Sequence, residues 1–223
     1  MLKLSLVSHL DDIEPVRGLP ELLPPGEKMI WQGAPDWKAI SIRVFQARKM
    51  AIYFALLLIW RFAQALMADL PIGEAARAAS PVIVLSIAPI GFLVLLGWLT
   101  SWATVYTITT RRLVMRIGIL FTINVNIPFK IIESADVRVF RRGNGDIYMT
   151  LAGKERVSYV ALWPHVRPWR FNPVQPMLRG LPNVREAADI LAKAIQEAAA
   201  ESEKESKSRA QSETASAAGS ADN

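Results

Sequence analysis

The chain has 223 residues, 52% of them hydrophobic and 21% charged, with a formal net charge of +6. That length holds one or two compact units with a real core, and the basic balance favours an acidic partner: anionic lipid, protein or nucleic acid. Cysteine is absent, which excludes disulfides, thiolate metal sites and cysteine nucleophiles, and two histidines, His9 and His165, are too few for a multi-histidine metal centre.

The opening stretch MLKLSLVSHLDDIEP is too short in its apolar part, and too acidic after it, for a secretory signal, so insertion is expected from an internal segment. LPELLPPGEK follows, Pro-rich and expected to be extended. In DWKAISIRVFQARK, Trp37, Ile40, Val44 and Phe45 fall near one helical face, with Lys38, Arg43 and Arg48 elsewhere. That pattern fits a helix lying in a membrane surface or one packed on a soluble domain.

Two apolar runs come next, Met50–Leu70 and Pro81–Ala103. Each approaches or meets the roughly 20 residues that a helix needs to cross hydrocarbon. The second run carries no charge and ends in Trp98 and Trp102, whose amphipathic rings favour headgroup level; Pro89 and Gly91 are tolerated in lipid. The first contains Arg61, which either snorkels to an interface beside Trp60 or faces a polar intramembrane site. Arg43, Arg48 and Lys49 precede the pair, and Arg111, Arg112 and Arg116 follow it, whereas the connection ADLPIGEAARAAS has no cationic excess. The positive-inside rule then puts both termini in the cytoplasm and the short connection outside.

The pattern changes to period two after Ala103. In ILFTINVNIPF, Ile119, Phe121, Ile123, Val125, Ile127 and Phe129 alternate with a more polar set, and Pro128 marks a sheet edge or exit. TVYTIT and RLVMRIG flank a turn at Thr110-Arg111, DVRVFRR and DIYMTLA flank Gly143-Asn144-Gly145, and VSYVALW is a sixth candidate strand. An antiparallel meander of this kind closes into a small barrel or two packed sheets. PNVREAADILAKAIQEAAA then opens on a capping-box-like start and sets Val184, Ala187, Leu191, Ile195 and Ala198 on one helical stripe. An open barrel plugged by one amphipathic helix is the pleckstrin-homology (PH) superfold. The expected fold class is therefore membrane α plus all-β: a two-span transmembrane helical hairpin followed by a PH-like antiparallel β-barrel with a C-terminal capping helix. The expected divisions are a cytoplasmic N-terminal segment at 1–49, the hairpin at 50–103, the PH-like domain at 104–200, and a disordered tail at 201–223.

Candidate binding residues concentrate in LWPHVRPWRFNPVQPMLRGLP, where Trp163, His165, Arg167, Trp169, Arg170, Phe171 and Arg179 stand among five prolines. Exposed aromatic and Arg side chains on a stiffened loop make a preorganised partner-binding edge; the other reading is a long connection whose aromatics cover the barrel. His165 has no Asp, Ser or second His near it in sequence, so a structural role is expected of it. Arg111, Arg112 and Arg116 are candidate lipid-facing cations on a module tethered at an anionic leaflet. The same tether argues against nucleic acid. No phosphate loop, HExxH, GxSxG or paired-carboxylate pattern occurs, and no enzymatic activity is expected.

GLPELLPPGEKMIWQGAPDW, YTITTRRLVMRIG, GNGDIYMTLAG and PMLRGLPNVREAADILAKAI together resemble the PuhB family of photosynthetic-complex assembly proteins of purple phototrophic bacteria. The YxITxRRL and GxGDI pieces are shared with bacterial membrane-anchored PH-like domains generally, and PMLRGLP points to this family in particular. The resemblance implies an accessory protein of the inner (intracytoplasmic) membrane. It would assist assembly of the photosynthetic reaction centre and core antenna, with their subunits as partners, no catalytic residues and no cofactor. Neither apolar run holds a histidine of the kind that ligates bacteriochlorophyll magnesium. The hairpin's free faces leave self-association into a homodimer open. The rival readings are a general membrane-surface PH-like module that binds anionic lipid, and an enzyme or transporter component that uses Arg61.

Overall fold

In the computed structural model, which describes residues 3–7, 18–19, 23–119, 122–140, 143–152 and 158–220, the chain divides at Pro35 and again at Thr104. Pro35–Ala103 forms a helical unit, while Met1–Ala34 and Thr104–Asn223 together form a β unit. The segment read from sequence as one piece, 1–49, is thus split between the two. Met29–Gly33 (β2) pairs antiparallel with Val105–Thr109 (β3), with Gly33 opposite Tyr106.

The helical unit begins with α1, Trp37–Arg43, where the Asp36 side chain accepts the Lys38 amide at 3.0 Å. The expected surface helix is shorter than its sequence pattern, because Gln46 at φ 56° turns the backbone before the next helix. Its buried residues, Ala39, Ile40 and Ser41, pack within the helical unit, Ser41 against α3 (Ile72–Ala103). Between them runs α2, Ala47–Met67. Both α2 and α3 are long and apolar enough to cross a membrane. Ile52, Leu56, Ile59, Val84, Leu85 and Phe92 stand exposed along them. The 21 and 32 residues of α2 and α3 span about 32 and 48 Å, against about 30 Å of hydrocarbon.

The connection is tighter than the sequence indicated, because most of ADLPIGEAARAAS already belongs to α3. Small side chains let the helices approach, with Ala65 of α2 and Ala75 and Ala79 of α3 all buried. Pro81 cannot donate to the Arg77 carbonyl, and the Ser80 hydroxyl donates to it instead at 2.8 Å. Arg61 lies in the last third of α2 and is exposed.

The β unit contains two antiparallel sheets. The first has the order β1-β5-β4-β3-β2, with β1 at Lys3–Val7, β4 at Arg112–Ile117 and β5 at Thr122–Pro128. The second has the order β6-β7-β9-β8, with β6 at Ile132–Val139, β7 at Gly145–Leu151, β8 at Val166–Phe171 and β9 at Val174–Leu181. Tyr106, Ile108, Leu113, Met115, Val125 and Ile127 of the first sheet meet Ile147, Met149 and Leu178 of the second in one core. Helix α5, Val184–Ser220, closes that core with Val184, Ala187, Leu191 and Ala194. Gly145 is required where α5 starts, since a Cβ there would lie 2.4 Å from both the Arg138 carbonyl and Val184 Cγ1. The polar face of β5 is only partly solvated: Asn124, with Val114 and Thr107 on the same face of the sheet, is buried, and Gly18 lies over Val105 and Gln32 on that side.

Three expectations are corrected here. VSYVALW is not a strand: Tyr159–Leu162 is a helical turn, α4, in which the Ser158 hydroxyl accepts the Ala161 amide and Leu162 is fully buried. The Pro-rich stretch at 162–182 is not a loop: Val166–Phe171 and Val174–Leu181 within it form the β8–β9 hairpin. Pro168 is tolerated there because β8 is an edge strand, where a missing amide hydrogen breaks no ladder. Residues 201–220 of the tail continue α5, as their Ala, Glu and Lys content and the Lys207–Glu203 pair at 2.9 Å favour, and 221–223 lie outside the described residues.

At the α1–α3 crossing, a Cβ on Gly97 would lie 2.8 Å from both the amide nitrogen and the Cα of Ser41. Gly97→Val should therefore destabilise the helical unit by about 1–3 kcal/mol, the usual range for overpacking. Gly91→Val, whose Cβ meets nothing within 4 Å, should not. Thermal unfolding of both variants in mild detergent checks the difference; equal midpoints would refute the crossing.

Candidate functional site

The β8 edge is where the sequence-predicted binding residues come to the surface. The β8–β9 register shifts between Val166 and Phe171, so the intervening residues bulge from the ladder. Trp169 in that bulge is 89% exposed and sits at φ 64°. For a bulky side chain this left-handed backbone is a strained outlier, of the kind that clusters at binding sites. Arg170 beside it is exposed, and Trp163, at the end of α4, is 55% exposed. The backbone of Phe171 closes the strand opposite Val174.

The remaining predicted binding residues point elsewhere. Arg167 lies flat on the outer face of the second sheet, 4.5 Å from the Tyr148 ring centroid, and donates to Gln175 Oε1 at 2.9 Å. Gln175 passes the network on to Thr150 at 2.9 Å. Arg179 is half-buried and donates to the Pro164 carbonyl at 2.8 Å; burial pushes its guanidinium below its ordinary pKa, and Asp146 opposes that shift.

His165 is fully buried and cannot meet a partner, which corrects its place among the binding residues. Its two ring nitrogens are engaged by Tyr106 OH at 2.7 Å on Nδ1 and by Thr104 Oγ1 at 3.1 Å on Nε2. The Arg179 amide donates to Tyr106 OH at 3.1 Å, which leaves the phenol proton for Nδ1. The network therefore assigns the ring proton to Nε2, which donates to Thr104. Burial holds the imidazole pKa down at about 3, with Arg179 adding to the shift, and burial raises the phenol of Tyr106. The His165 carbonyl also accepts the Met177 amide at 3.0 Å, so its backbone ties the start of β8 to β9 while its ring is held by Tyr106 and Thr104. A neutral, enclosed ring of this kind holds structure in place and reaches no ligand.

The three lipid-facing candidates also separate. Arg111 is exposed, and Arg116 is half-buried opposite Asn124. Arg112 is paired: its Nε and one terminal nitrogen donate to the two Glu27 oxygens at 2.8 and 2.9 Å. Thr109 Oγ1 is 2.6 Å from the same carboxylate and accepts the Arg112 amide at 3.0 Å. The ITTRRL turn is thus built around a buried acid from the GEK stretch. Sequence reasoning overlooked Glu27, Tyr106, Thr104 and Asp146; nothing local set Glu27 apart from Glu21, the other acid of the same Pro-rich stretch.

Two predictions follow from this geometry. The Glu27 side chain keeps only 3% exposure and Arg112 keeps 30%, so removing the arginine strands a charge that cannot reach water. Arg112→Ala should cost about 3 kcal/mol and Glu27→Ala clearly less, an order that denaturant unfolding of the two variants checks. For His165, the unfolded chain takes up a proton near pH 6.5 and the folded chain only near 3, so the neutral ring's stability falls as pH drops through that window. The loss should reach about 2 kcal/mol by pH 5, and a His165→Gln variant should lack that component of the pH profile.

Comparison with known proteins bears on this arrangement. The bacterial PH domain family matches residues 40–195. A Rhodobacter capsulatus protein described as an uncharacterized 23.7 kDa protein in the puhA 5' region is 36% identical over 194 residues, covering 84% of this chain and 88% of that one. No solved structure gave a significant match. The chain belongs to the bacterial PH domain family, and within it to the PuhB-like proteins that its motifs resemble.

Proposed function

We propose that the protein is a non-enzymatic, membrane-bound assembly factor for the photosynthetic reaction centre and core antenna. It acts through protein–protein contacts of its PH-like unit. Helices α2 and α3 anchor it in the inner (intracytoplasmic) membrane, and both termini lie in the cytoplasm, where the cations flanking the spans favour them. Support comes from the motif resemblance and from the relative encoded in the puhA region.

The observation that carries the reading is Trp169: a large aromatic, 89% exposed, at a backbone angle that costs free energy. Such a residue is stabilised when a partner covers it, and Trp and Arg dominate the affinity of protein interfaces. Arg170 and Trp163 extend the same edge. A purely lipid-directed module is less well supported, since of the three candidate lipid-facing cations only Arg111 is exposed, Arg112 being committed to Glu27.

Co-purification in mild detergent from cells building photosynthetic complexes tests the proposal. Reaction-centre or antenna subunits should accompany the wild-type chain. Trp169→Ala with Arg170→Ala should reduce recovery at least about tenfold while circular dichroism stays unchanged. Absence of every photosynthetic subunit from the wild-type preparation would remove the assembly role. Salt-sensitive flotation of the chain with anionic vesicles, in that case, would favour the lipid reading.

A further inference from the structure

A second surface lies on the β unit, separate from the β8 edge, where β6 forms the open edge of its sheet. From Glu133 to Val139 every residue is exposed, and among the described residues this stretch makes backbone hydrogen bonds only to β7. Val137 stands opposite Ile147, a fully buried core residue, so it points to the core side of the sheet. Val137 and Val139, two residues apart on the same face, are nonetheless each 41% exposed. The strand carries no lysine and no proline, two usual means of blunting an open edge.

A groove of about 700 Å³ begins where β6 begins, between Phe129 and Ile132 on one wall and Ile195 and Ala198 of α5 on the other. Arg111 and Lys130, both exposed, line it on the β side and Glu201 of α5 on the other, which leaves a net positive charge. Apolar walls, an unpaired strand edge and two cations at one end select a particular occupant. A second copy's β6 would bring Glu133, Asp136 and Arg138 but no acid suited to the basic end, and a lipid chain would leave the amide edge unused.

We propose that β6 and the adjoining α5 groove receive an extended segment of another protein as an added antiparallel strand. Its apolar residues alternate over Val137, Val139 and the groove, and its acidic residues lie toward its C-terminal end. The sheet is antiparallel throughout, so an added strand running against β6 ends at the start of β6, beside Arg111 and Lys130. Main-chain hydrogen bonds supply affinity and the two cations supply direction.

The full chain in mild detergent is titrated with a synthetic eight-residue peptide that alternates threonine and valine and ends in Asp-Glu. Its counterpart ending in Lys-Lys is titrated alongside. So are two versions N-methylated on one or the other alternate set of residues. The acidic peptide should slow amide exchange across 133–139 and bind about tenfold more tightly than the lysine peptide. Arg111→Glu with Lys130→Glu should reverse that preference. One N-methylated version, and only one, should lose binding, because alternate amides face β6. Unslowed exchange with every peptide would overturn the proposal, as would full binding by both N-methylated versions. Slow exchange that rises with chain concentration and without peptide would overturn it too, in favour of a second copy. None of these outcomes bears on whether photosynthetic subunits co-purify through Trp169.

Discussion

A carboxylate removed from water must have its charge met, and Glu27 has it met by residues far along the chain. Thr109 lies 82 positions away and Arg112 lies 85. The interaction therefore closes a loop that contains the whole helical unit. Closing so long a loop costs little more than closing a short one, because the penalty grows only logarithmically and the inserted residues order themselves. What it enforces is register: β2 is clamped onto β3, and Gly33 sits opposite Tyr106. The helical insert thus leaves the β unit after β2 and rejoins it at β3, two strands that pair with each other.

The same constraint explains what sequence could and could not show. The apolar runs, the alternation in β5 and the Gly143-Asn144-Gly145 turn are local patterns, and each produced the expected kind of element. MIWQG is not a local pattern: its five residues form an edge strand with a bulge, and its partner begins after the helical insert. VSYVALW has strand composition, yet the Ser158 cap and the burial of Leu162 favour a helical turn, so tertiary packing overrides propensity. Five prolines made 162–182 read as a loop, because sequence cannot say that Pro168 falls on a strand with one side unpaired.

Arginines expose the limit most plainly for the site. Arg111 and Arg112 are adjacent and chemically identical, but one is exposed and the other is committed to a buried acid that only the fold brings near. Arg167 and Arg179 are likewise absorbed, one on the face of Tyr148 and one against the Pro164 carbonyl. Counting basic residues therefore overstated the free positive surface of the PH-like unit. Of the residues singled out along 163–179 whose side chains are described, Trp163, Trp169 and Arg170 are the ones that face solvent.

Those three are presented by a support that sequence did not reveal. His165 sits between Tyr106 of β3 and Thr104 just before that strand, and its carbonyl holds Met177 of the second sheet. The start of β8 is thereby fixed on both sides, a few residues before the bulge that turns Trp169 outward. Fixing that backbone in advance lowers the entropy lost on docking and holds a strained residue where a relaxed loop would let it collapse. The imidazole and phenol spend their polar groups on each other, on Thr104 and on the Arg179 amide, so the network stays satisfied while it is buried.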